Sequence, residues 1–169
     1  ASLSLPAFAQ SSEIGLPLDD TSSMLARGLG RLAAQYEPLL AGYWIGEIYT
    51  QLVPTGFRTQ YGVFYTPPAL TNRLLELATN AGVDWASARV LDPACGGGAF
   101  LAPVAQKIRL ALSNQPPAKI IEHISRSLRG LELDSFSAWM SQTLLEATLY
   151  ELCVEAGVRL PNVVETCDA

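Results

Sequence analysis

A glycine cluster and a few carboxylates are the residues of this chain whose types and spacing could do chemistry. Asp92-Pro-Ala-Cys-Gly-Gly-Gly98 follows the apolar pair Val90-Leu91 and leads into a run with apolar residues at Phe100, Leu101, Val104, Ile108 and Leu112. Spacings of three and four are helical, so the stretch reads as strand, tight turn and helix, the first unit of a βαβ ligand-binding fold. The glycines let backbone approach a ligand closely, and the start of the helix behind them offers unpaired N–H groups. Further on, Leu128-Arg-Gly-Leu-Glu-Leu-Asp134 reads as a second strand, and Val163 with Val164 as a third. Ligands of parallel α/β sheets bind outside the carboxyl ends of the strands, which gathers Asp92, the glycines, Glu132 and Asp168. A carboxylate at such a place can accept two charge-assisted hydrogen bonds from a sugar diol, and Glu132 is the candidate.

The loop is not that of a nicotinamide enzyme. Leu101 stands where that fingerprint wants a small residue, and Glu132 follows Asp92 by 40 residues rather than the usual ~20. It also lacks the Gly-Lys-Ser/Thr ending of a phosphate-binding loop.

Stepping outward, 169 residues suffice for one domain with a real core. About half the chain (49%) is hydrophobic and 16% is charged, the balance of a globular rather than a disordered protein. The net charge of −5 leaves no basic footprint for nucleic acid, so any grip on nucleic acid is expected from regions outside these residues. Cys95, Cys153 and Cys167, with the lone His123, have no zinc-ligand spacing and suggest no disulfide framework. A reduced, cytoplasmic setting is expected. His123 reads as a surface side chain, and Cys95 as a small buried thiol without an activating base.

Residues 1–17 read as a flexible arm and 18–56 as an N-terminal helical segment. In that segment Asp19, Asp20, Thr21 and Ser22 offer N-caps for a helix reaching about Tyr36, with Met24, Leu25, Leu29, Leu32 and Ala33 on its apolar side. Leu39 to Val53 is apolar but too short for a membrane span and interrupted by Glu47, so a buried helix is expected, with no membrane association. Residues 57–169 read as the ligand-binding domain. There Thr66 is a candidate N-cap, Leu70, Leu74, Leu77 and Ala78 a buried stripe, and Gly82 the stop. A short helix carries Ile120, Ile121 and Ile124. A longer one, capped by Asp134 or Ser135, buries Phe136, Trp139, Met140, Thr143, Leu144 and Ala147 and runs to Gly157.

Asp92-Pro-Ala-Cys-Gly-Gly-Gly-Ala-Phe-Leu101 resembles motif I of S-adenosylmethionine (AdoMet)-dependent methyltransferases, in the form found in adenine-N6 DNA methyltransferases. Gly62-Val-Phe-Tyr-Thr-Pro67 resembles their motif X, Gly130-Leu-Glu-Leu-Asp134 motif II and Asp168-Ala169 motif III, in the order of the type I/IIG-like, motif-X-first class. The resemblance implies a Rossmann-like class I AdoMet-dependent methyltransferase core, here the first strands of its parallel sheet, preceded by N-terminal helices. It implies that Tyr65 and Thr66 lie at the methionine carboxylate, where a helix N-terminus also favours an anion. Asp92, Ala94, Gly96, Gly98 and Phe100 would line the methionine end and the loop, Glu132 would hold the ribose, Leu133 would pack on the adenine, and Asp168 would accept from its amino group.

The Asn/Asp-Pro-Pro-Tyr/Phe motif, which in that family holds the target amine of a flipped base, occurs nowhere in the 169 residues. The expectation is therefore the cofactor half of a restriction-modification type DNA methyltransferase, inactive by itself. It would reach DNA through other regions and expose apolar surface for self-association or for a complementing catalytic half. Two alternatives stand beside it: a non-catalytic AdoMet-binding or assembly module completed by another polypeptide, and a fragment of a methyltransferase for protein or RNA.

Overall fold

Proline and glycine punctuate the chain, and the elements follow them. The computed structural model describes residues 19–169; the arm expected over 1–17 lies outside them. Helix α1 spans Asp20–Ala33 and is capped by Asp19, whose carboxylate accepts from Ser22 N at 2.6 Å. Helices α2 (Pro38–Leu52), α4 (Pro68–Asn80) and α6 (Pro117–Ser127) each open on a proline, whose missing N–H costs nothing in a first turn. Between them, α3 (Thr55–Tyr61) ends on Gly62 in the left-handed region, φ +63°. It crosses residues 56 and 57, where the sequence reading divides two segments.

Three strands form one parallel sheet in the order β1-β2-β3, with β1 at Val90–Asp92, β2 at Leu128–Glu132 and β3 at Val164–Thr166. Asp92 pairs with Gly130 and Glu132 with Thr166, so all three strands end on one edge. Parallel neighbours need long crossovers. The first is α5 (Leu101–Ala111) with α6, and the second is α7 (Ser135–Thr148) with α8 (Tyr150–Ala156). The core surrounds β2: Leu101, Val104 and Ile108 of α5, Ile120, Ile121 and Ile124 of α6, Leu128, and Leu144 and Leu145 of α7 are all buried. The architecture is thus mixed α/β, with a small parallel sheet among eight helices in the described residues.

Several expectations need correction. Thr66 does not cap α4. Its N-cap is Pro67, with no side-chain cap, because Pro68 already supplies the helical first turn. The buried face of α4 is Thr71 and Leu75, while Leu70, Leu74 and Leu77 are exposed. In α2 the large residues Trp44, Ile48 and Leu52 also face outward, and the buried row is Gly42, Gly46 and Thr50. That row lets α2 lie close on α7: a Cβ at Gly42 would stand 2.9 Å from Leu144. The helix expected to run to Gly157 breaks at Leu149 into α7 and α8, and Ala147 is exposed. α1 buries no residue at all, and its helix stops at Ala33. His123 is half-buried rather than a surface group, with its Nε2 out of solvent.

Candidate functional site

The turn after β1 is built on backbone. Ala94 N donates to the Asp92 carboxylate at 3.2 Å, Cys95 N to Leu131 O at 2.9 Å, and Gly98 N to Cys95 O at 2.9 Å. Gly96 (φ +51°) and Gly98 (φ +86°) hold the left-handed conformations that make the bend. Beneath it space is short: a Cβ at Gly98 would lie 2.7 Å from the Ser141 hydroxyl, and one at Gly97 would overlap Met140 and the Tyr65 ring. α5 then begins at Leu101 without a side-chain cap. Ala94 is exposed on the outer side of the bend, and Phe100 is half-buried at its end.

Glu132 closes the loop from the next strand. It is 7% exposed, its Oε2 accepts from Gly96 N at 2.7 Å and its Oε1 from Asp134 N at 2.9 Å. A carboxylate offers about four lone-pair sites, so two remain. Asp134 caps α7, as the sequence leads one to expect, and does more. Its Oδ2 accepts from Ser137 N at 3.0 Å and from the Ser137 hydroxyl at 2.6 Å, and its Oδ1 from the Tyr49 hydroxyl of α2 at 3.3 Å. Leu133 is partly exposed between the two acids. Asp168 is exposed, one residue beyond Cys167, whose N–H donates to Glu132 O at 2.9 Å.

The segment Gly62–Pro67 turns at its start, Phe64 N donating to Gly62 O at 2.8 Å, and runs alongside with Val63 buried, Phe64 exposed and Tyr65 turned inward. The Tyr65 ring lies between Gly46 of α2 and Gly97 of the loop, too close to either for a Cβ, and its hydroxyl meets the Ser137 hydroxyl at 3.0 Å. Thr66 is half-buried on a small cleft shared with Tyr43, Tyr65, Thr71, Asn72 and Gly97. Thr71 is 1% exposed and its hydroxyl has no hydrogen-bond partner among the described residues.

Burial sets the protonation of the site. It raises the Tyr49 phenol to about 12, helped by the Asp134 charge, and pushes Tyr65 upward as well, so both are neutral donors near pH 7. Burial likewise raises the Cys95 thiol to about 12, which leaves it protonated and unreactive. The Asp92 carboxyl is held above the usual carboxylate range by the same cause, against the Ala94 N–H that favours its charge. Among the described residues no group of His, Cys, Asp and Glu could hold a metal ion, and no helix is long and apolar enough to cross a membrane.

The folded chain thus brings Tyr65, Thr66, Asp92, Gly96, Gly98 and Glu132 together around one bend, with Ala94, Phe100 and Leu133 at its margins and Asp168 further out. Sequence reasoning missed Tyr49, Gly46, Ser137, Ser141 and Thr71, and read Met140 only as a buried residue of its helix. Ser137 had a local signal, three residues after its cap Asp134. Tyr49 had none, since 85 residues separate it from Asp134.

The site is thus a bend of bare glycines at the carboxyl edge of a parallel sheet, braced by an acid from the neighbouring strand. The family model described as N-6 DNA methylase matches residues 43–143, more than half of the chain, and the chain belongs to that family. The match takes in α2 from Tyr43 onward as well as the glycine loop and Glu132. Comparison with curated proteins and with solved structures gave no match.

Proposed function

We propose that this chain is the AdoMet-binding portion of a motif-X-first DNA adenine-N6 methyltransferase with a Rossmann-like core. The observation that carries this reading is the convergence of two separate segments on one bend. Glu132 holds Gly96, Tyr65 covers Gly97, and Thr66 shares a cleft with Gly97.

The residues present fit the cofactor. Two lone-pair sites of Glu132 remain for a ribose diol, and partly exposed Leu133 offers an apolar face for a purine. The unpartnered Thr71 hydroxyl stands on the cleft beside the uncapped start of α4, where a carboxylate is favoured. A cationic group beside half-buried Asp92 would favour its ionised form. Asp168 is carried over to the adenine amine by resemblance alone. Bound AdoMet supplies an activated methyl on a sulfonium, for direct displacement by an exocyclic amine. This chain's part is to position it.

The Asn/Asp-Pro-Pro-Tyr/Phe motif is absent from the 169 residues, so the base-holding groups and the DNA contacts are assigned to polypeptide outside them, in a cytoplasmic restriction-modification setting. A second reading, an AdoMet-binding assembly module completed by a separate catalytic half or by self-association, draws on the 59% exposed Leu91 of β1 and the exposed leucines of α4.

Calorimetric titration with AdoMet, and separately with NAD, tests the assignment. AdoMet binding is expected, weakened by about 1–3 kcal/mol in Glu132→Gln, which removes one charged acceptor. NAD binding in its place overturns the reading. Methyl incorporation into DNA by the chain alone would overturn the inactivity ascribed to it.

A further inference from the structure

The polar contacts around the bend close into a ring. From Gly96 N the path runs to the Glu132 carboxylate, and from there to Asp134 N at 2.9 Å. The Asp134 carboxylate takes the Ser137 hydroxyl at 2.6 Å, and that hydroxyl meets the Tyr65 hydroxyl at 3.0 Å. The Tyr65 ring then rests on Gly97, the residue after the starting point. Proton directions follow from the inventory of donors. Ser137 has one hydroxyl proton, committed to the carboxylate that can only accept, so the Tyr65 hydroxyl donates to Ser137.

Asp134 is the node. It is 5% exposed and accepts three hydrogen bonds, and none of the ion pairs among the described residues involves it or Glu132. Its charge is therefore held by neutral donors alone, and each donor matters more in such a place than at the surface. One of them, the Tyr49 hydroxyl, comes from α2, whose Gly46 also seats the other side of the Tyr65 ring. α2 thus reaches the bend twice, once through a carboxylate and once through a ring.

We propose that Asp134 is a positioning residue, which with Tyr49 and Ser137 couples α2 to the shape of the glycine loop and so sets its affinity for cofactor. Helix α2 is then part of the cofactor site and not an appendage to it. The proposal rests on the reading that the loop holds AdoMet.

The test compares Tyr49→Phe and Asp134→Asn with Ser87→Ala, which deletes an exposed hydroxyl bonded to the Asp84 carboxylate outside the ring. Two readouts are taken on the 169-residue chain: the proton shift and exchange rate of the Gly96 amide by NMR, and AdoMet affinity by titration. Tyr49→Phe removes one hydroxyl from a half-buried site and should stay folded, melting a few degrees below wild type. It is expected to move the Gly96 amide upfield, to speed its exchange about tenfold and to weaken AdoMet about tenfold, the size of one hydrogen bond to a charged group. Asp134→Asn should do more of both, and Ser87→Ala neither. An unchanged Gly96 amide in Tyr49→Phe overturns the proposal, as does a loosened amide with full AdoMet affinity. If the wild-type chain takes no AdoMet, the functional reading fails, while the Gly96 amide still decides the coupling.

Discussion

The two halves of the molecule bury themselves by opposite means. From β1 onward the chain hides most of its large apolar residues, Leu91 and Leu110 apart: Leu101 and Ile108 of α5, Ile124 of α6 and Leu145 of α7 are all fully enclosed. From α1 to α4 it does the reverse. Leu25 is 66% and Leu52 77% exposed, and Leu70, Leu74 and Leu77 also face outward, while Gly42, Gly46, Thr50 and Thr71 make the contacts. An apolar stripe predicts burial where a helix has a sheet or several helices to cover it. Where a helix meets one neighbour at close range, small residues at the contact permit the approach, and the hydrophobic pattern points away from it.

Substitutions at matched positions can break this contrast. The largest effect is expected from Ile108→Ala, which opens a cavity among α5, α6 and β2 and should cost about 2–5 kcal/mol in chemical denaturation. Gly46→Ala follows. Alanine ordinarily favours a helix interior, yet here the new methyl meets the Tyr65 ring, and about 1–3 kcal/mol of destabilisation is expected. Gly28→Ala in α1 has nothing within 4 Å of the added methyl, so the same change should stabilise by up to about 1 kcal/mol, seen as increased helicity. If Gly46→Ala also stabilised, the close approach of α2 would be refuted. Leu25→Ala should stay within about 0.5 kcal/mol, because its side chain already stands in solvent.

The smallest effect is one of pH, at the border between the halves. Burial raises the Asp92 carboxyl in the folded chain above its unfolded value. The folded state therefore holds that proton more tightly, and stability is lost as pH rises through the carboxylate range. Asp92→Asn should melt slightly higher than wild type at pH 7, with the difference vanishing at low pH where both side chains are neutral. A gap that persists in acid would point to packing and not to charge. A saturating cationic ligand beside Asp92 should reverse the sign at pH 7.

How much of this was legible beforehand varies with the range of the interaction concerned. The strand–turn–helix unit, the isoleucine face of α6, the Asp134 cap and the Gly82 stop follow from neighbours within a few residues, and each stands where the pattern placed it. The capping role of Thr66 and the leucine stripe of α4 read just as well locally and were overridden. Two successive prolines shift the helix start, and the docking of α4 chooses Thr71 and Leu75.

By itself the sequence determined the three strands, the helical crossovers between them, and the carboxylates and glycines at the sheet's edge. Periodicity, caps and turn residues are properties of contiguous chain. Only the tertiary structure decided that Glu132 holds Gly96 across 36 residues, that Tyr65 lies between two glycines, and that Tyr49 reaches Asp134. Such contacts depend on where whole helices come to rest, and that is fixed by the sum of all packing at once, with no spacing rule along the chain to record it.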